Sequence, residues 1–371
     1  MIHGSRGRQR LLSGALILAI GWTVSPVRAE GPDPSLLEAP HFENGRFFNP
    51  WEKNPKSAWD LFRWKIFTPN PYDKTRTPEI PRVENNGLYL SGSSPHPSAT
   101  WVGHSTFAVH DGDDVFLTDP HFSKRALLPR RITPPGIPIE SIPGDAFAVI
   151  SHNHYDHLDA DTVDTLPETV QWFVPLGLAE WFRDRGRPNV VELDWWESAH
   201  RGRWTITCLP SQHWSQRIEQ GTNRSLWCSW LLDSGETRYY FAGDTGYFAG
   251  FAEFGRRFAP IDVAMLPIGA YEPRWMMQYN HMDPTEAFLA FRDLGARQML
   301  PMHWGTFDLT DEPADLPPQV LGEIVEAADG VDGRVHIPAI GERVELLRFP
   351  RTESRGSGAS LSNEHDPENT P

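Results

Sequence analysis

The 371-residue chain is long enough to bury a large core in one or two domains, and its apolar fraction is typical of a globular protein. Its formal net charge of -15 argues against a nucleic-acid partner, because phosphate-binding surfaces need clustered Lys and Arg. That charge does not exclude lipid, which apolar contacts can hold. Cys208 and Cys228 lie in strand-like runs that can pair, so a disulfide and two buried thiols both stay open.

The N-terminus has the three-part layout of a secretory signal, predicted over residues 1–29. Arg6, Arg8 and Arg10 precede an apolar run over residues 11–24, and small residues near Ala29 suit a cleavage site. The run is short for a permanent membrane span, and no cysteine follows it to carry a lipid. We therefore expect export to the periplasm or to a membrane-peripheral location, with anchoring by an uncleaved N-terminal segment as the alternative.

An aromatic-rich N-terminal arm is predicted over residues 30–80. Trp and Phe crowd residues 46–67, and Pro69 and Pro71 then end any helix. The arm either packs on the main domain or forms a wall of a lipid-binding groove, where Trp and Phe supply contact area for acyl chains.

Strands and helices mix over residues 81–350, which we interpret as one domain. Residues 99–109 and 114–118 predict a hairpin with its turn at 111–113. Further strands are expected at 147–150, 170–174, 190–193, 204–209, 225–232, 237–242, 263–267, 298–302 and 343–348. Helices are expected just after Asp159 and at 176–185, 248–257, 284–294 and 318–328. Residues 351–371 are polar and predict a disordered tail.

A dense cluster of metal-binding residue types follows the buried strand at 147–150. It contains His152, His154, Asp156 and His157. Imidazoles and carboxylates are the ligands that zinc takes in catalytic sites. One loop with four such groups can hold two ions, with His152 and His154 on one and the other two residues on the second. The alternative is a polar loop with surface histidines.

Other candidate ligands stand at later strand ends, namely His213, Asp244 and His303. Two β-rich halves that present their strand ends to one cleft would bring these groups to the cluster. Asp119 also ends a strand, and it either orients a ligand imidazole through a hydrogen bond or caps the following turn.

Taken together, this series resembles the motif set of the metallo-β-lactamase superfamily. The resemblance implies an α/β (α+β) fold, an αββα four-layer sandwich with a site for two zinc ions at one edge. Carried over residue by residue, it assigns His152, His154 and His213 to one zinc ion, Asp156, His157 and His303 to the other, and Asp244 to a bridge between them.

A closer resemblance, to the family of N-acyl-phosphatidylethanolamine-hydrolysing phospholipases D, covers residues 46–310. The motifs that carry it stand at 174–177, 192–196, 212–215, 225–230, 242–247, 266–275, 281–284 and 303–307. It implies hydrolysis of N-acyl-phosphatidylethanolamine, or a related glycerophospholipid, to an N-acylethanolamine and phosphatidic acid, by water that the two zinc ions activate. Asp156 and Asp244 are then catalytic as well as metal-binding. The implied partner is phospholipid at a membrane surface, and a homodimer stays open.

The loop before the helix at 284–294 supplies further candidates. His281 is predicted to position the substrate or to donate a proton, or else to be a structural histidine bonded to backbone. Tyr271 and Arg274 either contact phosphate or staple the loop. Trp275 and Met276 form an apolar lip suited to lipid, or part of the core.

Two other functions compete with a lipid phosphodiesterase. One is a lactonase, or another hydrolase of a small soluble metabolite, with the same dinuclear zinc site. The other is a non-catalytic or redox member of the superfamily, which the complete ligand set and the absence of a flavin-like domain argue against. The aromatic arm and the Trp275 loop favour lipid over a soluble metabolite.

Overall fold

Two large β-sheets form the centre of the protein. The computed structural model describes residues 33–54 and 56–349, so the predicted signal segment and the tail lie outside the described residues. In spatial order, the first sheet contains Arg343–Glu345 (β17), Ser94–Gly103 (β3), Thr106–Gly112 (β4), Asp114–Thr118 (β5), Phe147–Val149 (β6), Gln171–Pro175 (β7) and Val190–Leu193 (β8). The second contains Gln298–Met302 (β16), Val263–Pro267 (β15), Arg238–Phe241 (β14), Ser229–Asp233 (β13), Trp204–Leu209 (β10) and Ser198–Arg201 (β9).

Shorter elements complete the described chain. Two small hairpins pair Phe42–Glu43 (β1) with Arg46–Phe47 (β2) and Gln216–Arg217 (β11) with Gly221–Thr222 (β12). The helices are Ala58–Phe67 (α1), Ala160–Thr165 (α2), Ala179–Asp184 (α3), Gly250–Phe258 (α4), Arg274–Met277 (α5), Pro284–Asp293 (α6) and Leu316–Glu326 (α7).

The side chains of β5 show why the layers stack as they do. Phe116 points between the sheets, with its ring centroid 5.3 Å from those of Trp204 and Tyr239 on the second sheet. Val115 and Leu117 belong instead to a second core, which also holds residues of α2 and α3. Successive strand residues face opposite sides of a sheet, so a strand buried on both faces must be apolar throughout. This alternation produces the predicted αββα order, with α4, α6 and α7 on the far side.

Strand direction brings polar loops to one edge of the sandwich. β5 to β8 run parallel, as do β14 to β16. The carboxyl ends of parallel strands meet at the same edge of a sheet, and ligand sites of α/β proteins gather there. Most of the candidate ligands follow β6, β14 and β16, and His213 follows β10.

Several predicted elements were wrong in their extent; the closing strand expected over residues 343–348, for example, ends at Glu345. The single strand expected over residues 99–109 is two antiparallel strands, β3 and β4, because Gly103 and His104 have φ values of 122° and 54° and turn the chain. The strand expected from residue 225 begins at Ser229, since the preceding backbone bonds to other loops; Cys228 N, for example, donates to Ser151 O at 2.9 Å. The helix expected from residue 176 begins at Ala179.

The arm packs on the sandwich and contains a helix that the sequence analysis did not assign. Leu37, Phe47 and Trp51 belong to the central core. α1 begins with a capping box, in which Ser57 and Asp60 each bond the backbone N–H of the other.

Among the residues that the structure describes, no helix is long and apolar enough to cross a membrane. Of the two states left open for the cysteines, the structure has the thiols: Cys208 and Cys228 are free and buried.

Candidate metal centre

The predicted cluster lies on the loop between β6 and α2. A tight turn shapes it, in which the backbone N–H groups of His157 and Leu158 both donate to the carbonyl of His154, at 3.1 and 2.8 Å. Asp159 is the N-cap of α2, as expected. The turn sends neighbouring side chains toward one point rather than along a strand or helix face.

A first group of three imidazoles meets beside this loop. Nδ1 of His154 lies 2.8 Å from Nε2 of His152 and 3.2 Å from Nε2 of His213. His213 comes from the loop after β10, so the second sheet completes a group that the first sheet begins. All three ligand atoms lie within the span of one metal ion.

A second group forms around two carboxylates. Oδ2 of Asp156 lies 3.6 Å from Nε2 of both His157 and His303. Oδ2 of Asp244 lies 3.1 Å from the same two nitrogens and 3.9 Å from Nε2 of His213. Asp244 therefore stands between the two groups.

Hydrogen bonds behind the ligands orient their rings. Nδ1 of His157 donates to Oδ2 of Asp119 at 2.6 Å, which leaves Nε2 to face the centre. The other carboxylate oxygen, Oδ1, accepts from the backbone N–H of Ser151, also at 2.6 Å. The Ser151 hydroxyl lies 2.9 Å from Nδ1 of His152. Asp119 thus lies behind the His157 ring, and partners of this kind fix the tautomer of an imidazole that binds a metal.

The arm supports the loop of His213. Nδ1 of His213 donates to the carbonyl of Asn280 at 3.1 Å. Asn49 donates to the His213 carbonyl at 3.0 Å and to the Tyr279 hydroxyl at 2.7 Å. A buried arm residue therefore ties the His213 loop to the segment that precedes His281. Asn49 was not among the predicted site residues, because no motif in the sequence marks it.

The first group is electrically neutral. Burial lowers the pKa values of His152 and His213 well below the usual range, and it lowers the pKa of His154 to about 4. Neutral imidazole is the form that binds a metal, so these three side chains need lose no proton to do so.

The second group carries negative charge that needs a partner. Burial raises the pKa of Asp244, but His157 and His303 outweigh it and hold that pKa well below its usual value. In return, burial lowers the pKa of His303, but Asp244 and Asp156 outweigh it and raise that pKa to about 9. Protons on imidazoles and a bound cation are alternative ways to balance these carboxylates.

Several buried polar atoms at the centre make no well-aligned hydrogen bond with the protein, which is rare unless a ligand satisfies them. They are Nε2 of His154, Nε2 of His157, Oδ1 of Asp244, Nδ1 of His281, and Nδ1 and Nε2 of His303. The residues present therefore fit a metal in both their donor chemistry and their unmet bonding.

His281 borders both groups. Its Nδ1 lies 3.8 Å from Oδ2 of Asp244, and its ring centroid lies 5.3 Å from that of His213 and 5.4 Å from that of His303. Burial lowers the pKa of His281 to about 4.

Arg274 staples the loop that carries His281. Its Nη1 donates to the His281 carbonyl at 3.0 Å and its Nη2 to Glu286 Oε2 at 2.7 Å, while its Nε lies 3.6 Å from Asp283. Of the two roles predicted for Arg274, the structure shows the staple. These partners occupy the guanidinium, which argues against a phosphate contact.

The remaining loop candidates differ in their surroundings. Tyr271 is buried, and its backbone N–H donates to Glu312 at 3.1 Å. Burial and the nearby carboxylates raise its pKa, and such surroundings repel phosphate. Trp275 and Met276 are half-buried, and the side chains of Lys56 and Arg63 lie over the Trp275 ring.

The fold and the site define a metal-dependent hydrolase. Residues 115–304 match a family described as the beta-lactamase superfamily domain. N-acyl-phosphatidylethanolamine-hydrolyzing phospholipase D 1 of Caenorhabditis elegans is 37% identical over 311 residues, which are 78% of this chain and 87% of that protein. The mitochondrial phospholipase D of the same name from Saccharomyces cerevisiae is 36% identical over 257 residues, which are 66% of this chain and 54% of that protein.

Solved structures show the same fold. Igni18, a metallo hydrolase from Ignicoccus hospitalis, superposes with a TM-score of 0.51 at 23% identity, over 69% of this chain and 99% of that one. The chain belongs to the metallo-β-lactamase superfamily and, within it, to the family of the N-acyl-phosphatidylethanolamine-hydrolysing phospholipases D. The resemblance predicted from the motifs is confirmed.

Proposed function

We propose that the protein is a zinc-dependent phosphodiesterase of phospholipase D type. Its substrate is N-acyl-phosphatidylethanolamine or a related glycerophospholipid at a membrane surface. The names of the relatives support the reaction. The observation that best supports a lipid substrate is two sets of exposed apolar side chains among cations. One set is on α1 and the other on the hairpin at residues 124–130, and both segments contact loops of the metal centre.

The proposed reaction breaks the P–O bond to the ethanolamine oxygen. A water oxygen bonds to phosphorus, the ethanolamine oxygen leaves with a proton, and the products are an N-acylethanolamine and phosphatidic acid. Two zinc ions bound at such a site lower the pKa of water and stabilise charge on phosphoryl oxygens.

The protein's own groups have distinct proposed parts. Asp156 and Asp244 would hold the metal, and Asp244 could serve both groups because its Oδ2 faces His157 and His213. His281 borders both positions, and we propose that its ring positions the phosphoryl group or donates the proton to the leaving oxygen.

α1 supplies the first exposed apolar surface. Trp59, Phe62 and Ile66 follow helical spacing on one face and are 65%, 46% and 61% exposed. α1 contacts α5, because Arg63 of α1 lies over the ring of Trp275 on α5. Trp64 fixes the other side of the helix, because its Nε1 donates to Asp311 at 2.9 Å. The exposed face therefore stands next to the loop of His281, where an acyl chain of a bound lipid would pass.

The hairpin at residues 124–130 supplies the second surface. Leu127 and Leu128 are 50% and 76% exposed at its tip, and Lys124, Arg125 and Arg130 flank them. Apolar tips among cations suit an anionic lipid surface, where each Lys or Arg contributes about 1 kcal/mol. These cations gather on a chain whose formal net charge is -15, so the charge is local to this hairpin.

The base of the hairpin leads to the metal centre. Arg131 pairs with Phe307, whose ring centroid lies 5.2 Å from that of His104. The His104 ring in turn packs on His303. A membrane contact at Leu127 and Leu128 would therefore place lipid beside the ligand loops.

We also propose that the protein acts after export, because residues 1–29 have the composition of a secretory signal. Mass spectrometry of the protein recovered from a periplasmic fraction tests this. A new N-terminus near Ala29 is expected, and an intact N-terminus in a cytosolic fraction would refute export.

A hydrolysis screen tests the proposed function. Zinc-loaded protein is incubated with vesicles of N-acyl-phosphatidylethanolamine, and released N-acylethanolamine is measured by mass spectrometry. We expect release that chelation abolishes and zinc restores. Activity on a water-soluble lactone alone would replace this proposal with the lactonase alternative.

A further inference from the structure

A buried histidine outside the predicted ligand set stands at the second metal group. His104 occupies the turn between β3 and β4 and is 1% exposed. Its Nε2 lies 3.0 Å from Oδ2 of Asp156. The sequence did not mark His104 as a candidate, because residues 99–109 predicted one uninterrupted strand, which left no loop for a functional side chain.

The ring of His104 also packs against two imidazoles of this group. Its centroid lies 4.1 Å from that of His303 and 5.1 Å from that of His157. With the bond to Asp156, one side chain therefore contacts three of the four residues of the second group, all but Asp244. Among the described residues, His104 and these same three residues bring their ligand atoms close enough to form one possible metal-binding group.

The backbone of His104 is tied to the loop of His303. Its carbonyl accepts from His303 N at 3.1 Å and from Trp101 Nε1 at 2.9 Å, and its N–H donates to Thr306 Oγ1 at 2.5 Å. These bonds hold a φ of 54°, a left-handed conformation that is uncommon for residues other than glycine. A strained conformation that several bonds maintain commonly marks a functional position.

We propose that His104 is a positioning residue that aims the Asp156 carboxylate and the His303 ring at one metal position and does not itself bind the ion. This inference rests on the proposed two-metal function. Asp156, His157, His303 and Asp244 already offer four donors at that position. A catalytic zinc site keeps one place for water or substrate, which an added imidazole ligand would close. A ligand carboxylate, in contrast, needs an outer hydrogen bond to fix its orientation.

Zinc binding by full-length protein tests the proposal independently of catalysis. Apo protein is titrated with buffered zinc, and both equivalents are followed for the wild type, His104→Ala and His104→Gln. We expect His104→Ala to weaken one equivalent by about 10- to 100-fold and to leave the other unchanged. His104→Gln keeps an N–H donor for Asp156, and it should recover most of that loss.

His121→Ala is the matched control. Its ring is also buried and packs on Phe307, with a centroid distance of 5.0 Å against 5.2 Å for His104. No hydrogen bond joins it to a ligand side chain among the described residues. Both zinc equivalents should keep wild-type affinity in His121→Ala, and thermal unfolding of the apo forms checks that each variant folds.

The cobalt-substituted protein separates positioning from ligation. If His104 only positions Asp156, the visible absorption bands of cobalt in His104→Gln stay at wild-type wavelengths. Shifted bands, or zinc affinity in His104→Gln as weak as in His104→Ala, would overturn the proposal. Wild-type affinity in His104→Ala would also overturn it. Failure of the wild type to bind two ions would instead refute the two-metal function.

Discussion

Asp119 and His157 are joined by a short buried hydrogen bond, with Nδ1 of the imidazole 2.6 Å from Oδ2 of the carboxylate. Neither side chain is exposed to solvent. The same carboxylate accepts from the backbone N–H of Ser151, the residue before His152. One carboxylate therefore orients the His157 ring of the second group and the backbone that precedes His152 of the first.

We expect Asp119→Asn to weaken zinc binding by about 10- to 100-fold, the usual cost of losing an outer hydrogen bond to a ligand histidine. The amide keeps the volume of the side chain but loses a carboxylate acceptor. Zinc titration of the apo protein measures the change. Asp111→Asn is the control, since Asp111 is equally buried but bonds Tyr239 and Arg348 instead of ligands. It should lower stability and keep zinc affinity.

The core strands were the most predictable part of the fold. Residues 204–209, 263–267 and 298–302 were predicted with the bounds that β10, β15 and β16 have. Each is a short, largely apolar run of five or six residues between turn residues, a length and pattern typical of a buried strand.

The missed elements lack that pattern. β9, Ser198–Arg201, is a half-exposed edge strand of mixed polarity, so no periodicity marked it. α1 is apolar on several faces because one side packs on the domain and another is exposed, which hides the helical period. Its capping box at Ser57 and Asp60 was the available signal.

The candidate site was also predictable only in part from the sequence. The 151–157 cluster was visible because its ligands are adjacent in sequence. The role of His104 depends on two contacts across the fold, to Asp156 and to the His303 loop, and sequence spacing contains neither.

Addition of zinc to the apo protein should raise its thermal unfolding temperature in a concentration-dependent way. An ion that binds only the folded state stabilises it by about 2.7 kcal/mol at 100 times its Kd. Differential scanning calorimetry across a zinc series measures the shift. Magnesium should give a much smaller one, because it prefers oxygen ligands and the first group consists of three imidazoles. Equal shifts with both ions would contradict the proposed zinc preference.

Asp244→Asn should reduce hydrolysis by more than the about 10- to 100-fold expected for an outer partner, because Oδ2 of Asp244 faces both groups. An amide binds cations weakly, so bound metal should fall below the wild-type amount. Elemental analysis and lipid hydrolysis are measured on the same preparation. Full metal content with unchanged turnover would rule out a bridging role for Asp244.

Replacement of Leu127 and Leu128 by Ser should weaken binding to anionic vesicles by about 10-fold or more, because each buried leucine contributes roughly 1.5–3 kcal/mol. Vesicle sedimentation measures binding, and hydrolysis of substrate in detergent micelles should change little. Leu289→Ser is the control, since Leu289 is 46% exposed on α6. If the Leu127 and Leu128 variant binds vesicles as tightly as the wild type and the Leu289→Ser control do, lipid docks elsewhere.

Arg274→Ala should lower kcat by about 10- to 100-fold while bound metal stays constant, because small displacements of a positioned group have costs of this size. The change releases the His281 carbonyl and Glu286 from one guanidinium, so the His281 loop loses its staple. Arg274→Lys keeps the charge but cannot bond both partners in the same geometry. Its kcat should fall between those of the wild type and Arg274→Ala. Arg292→Ala, at an exposed position of α6, is the control and should keep wild-type kcat. A rise in KM at unchanged kcat would instead assign Arg274 to substrate binding, the alternative that its present partners disfavour.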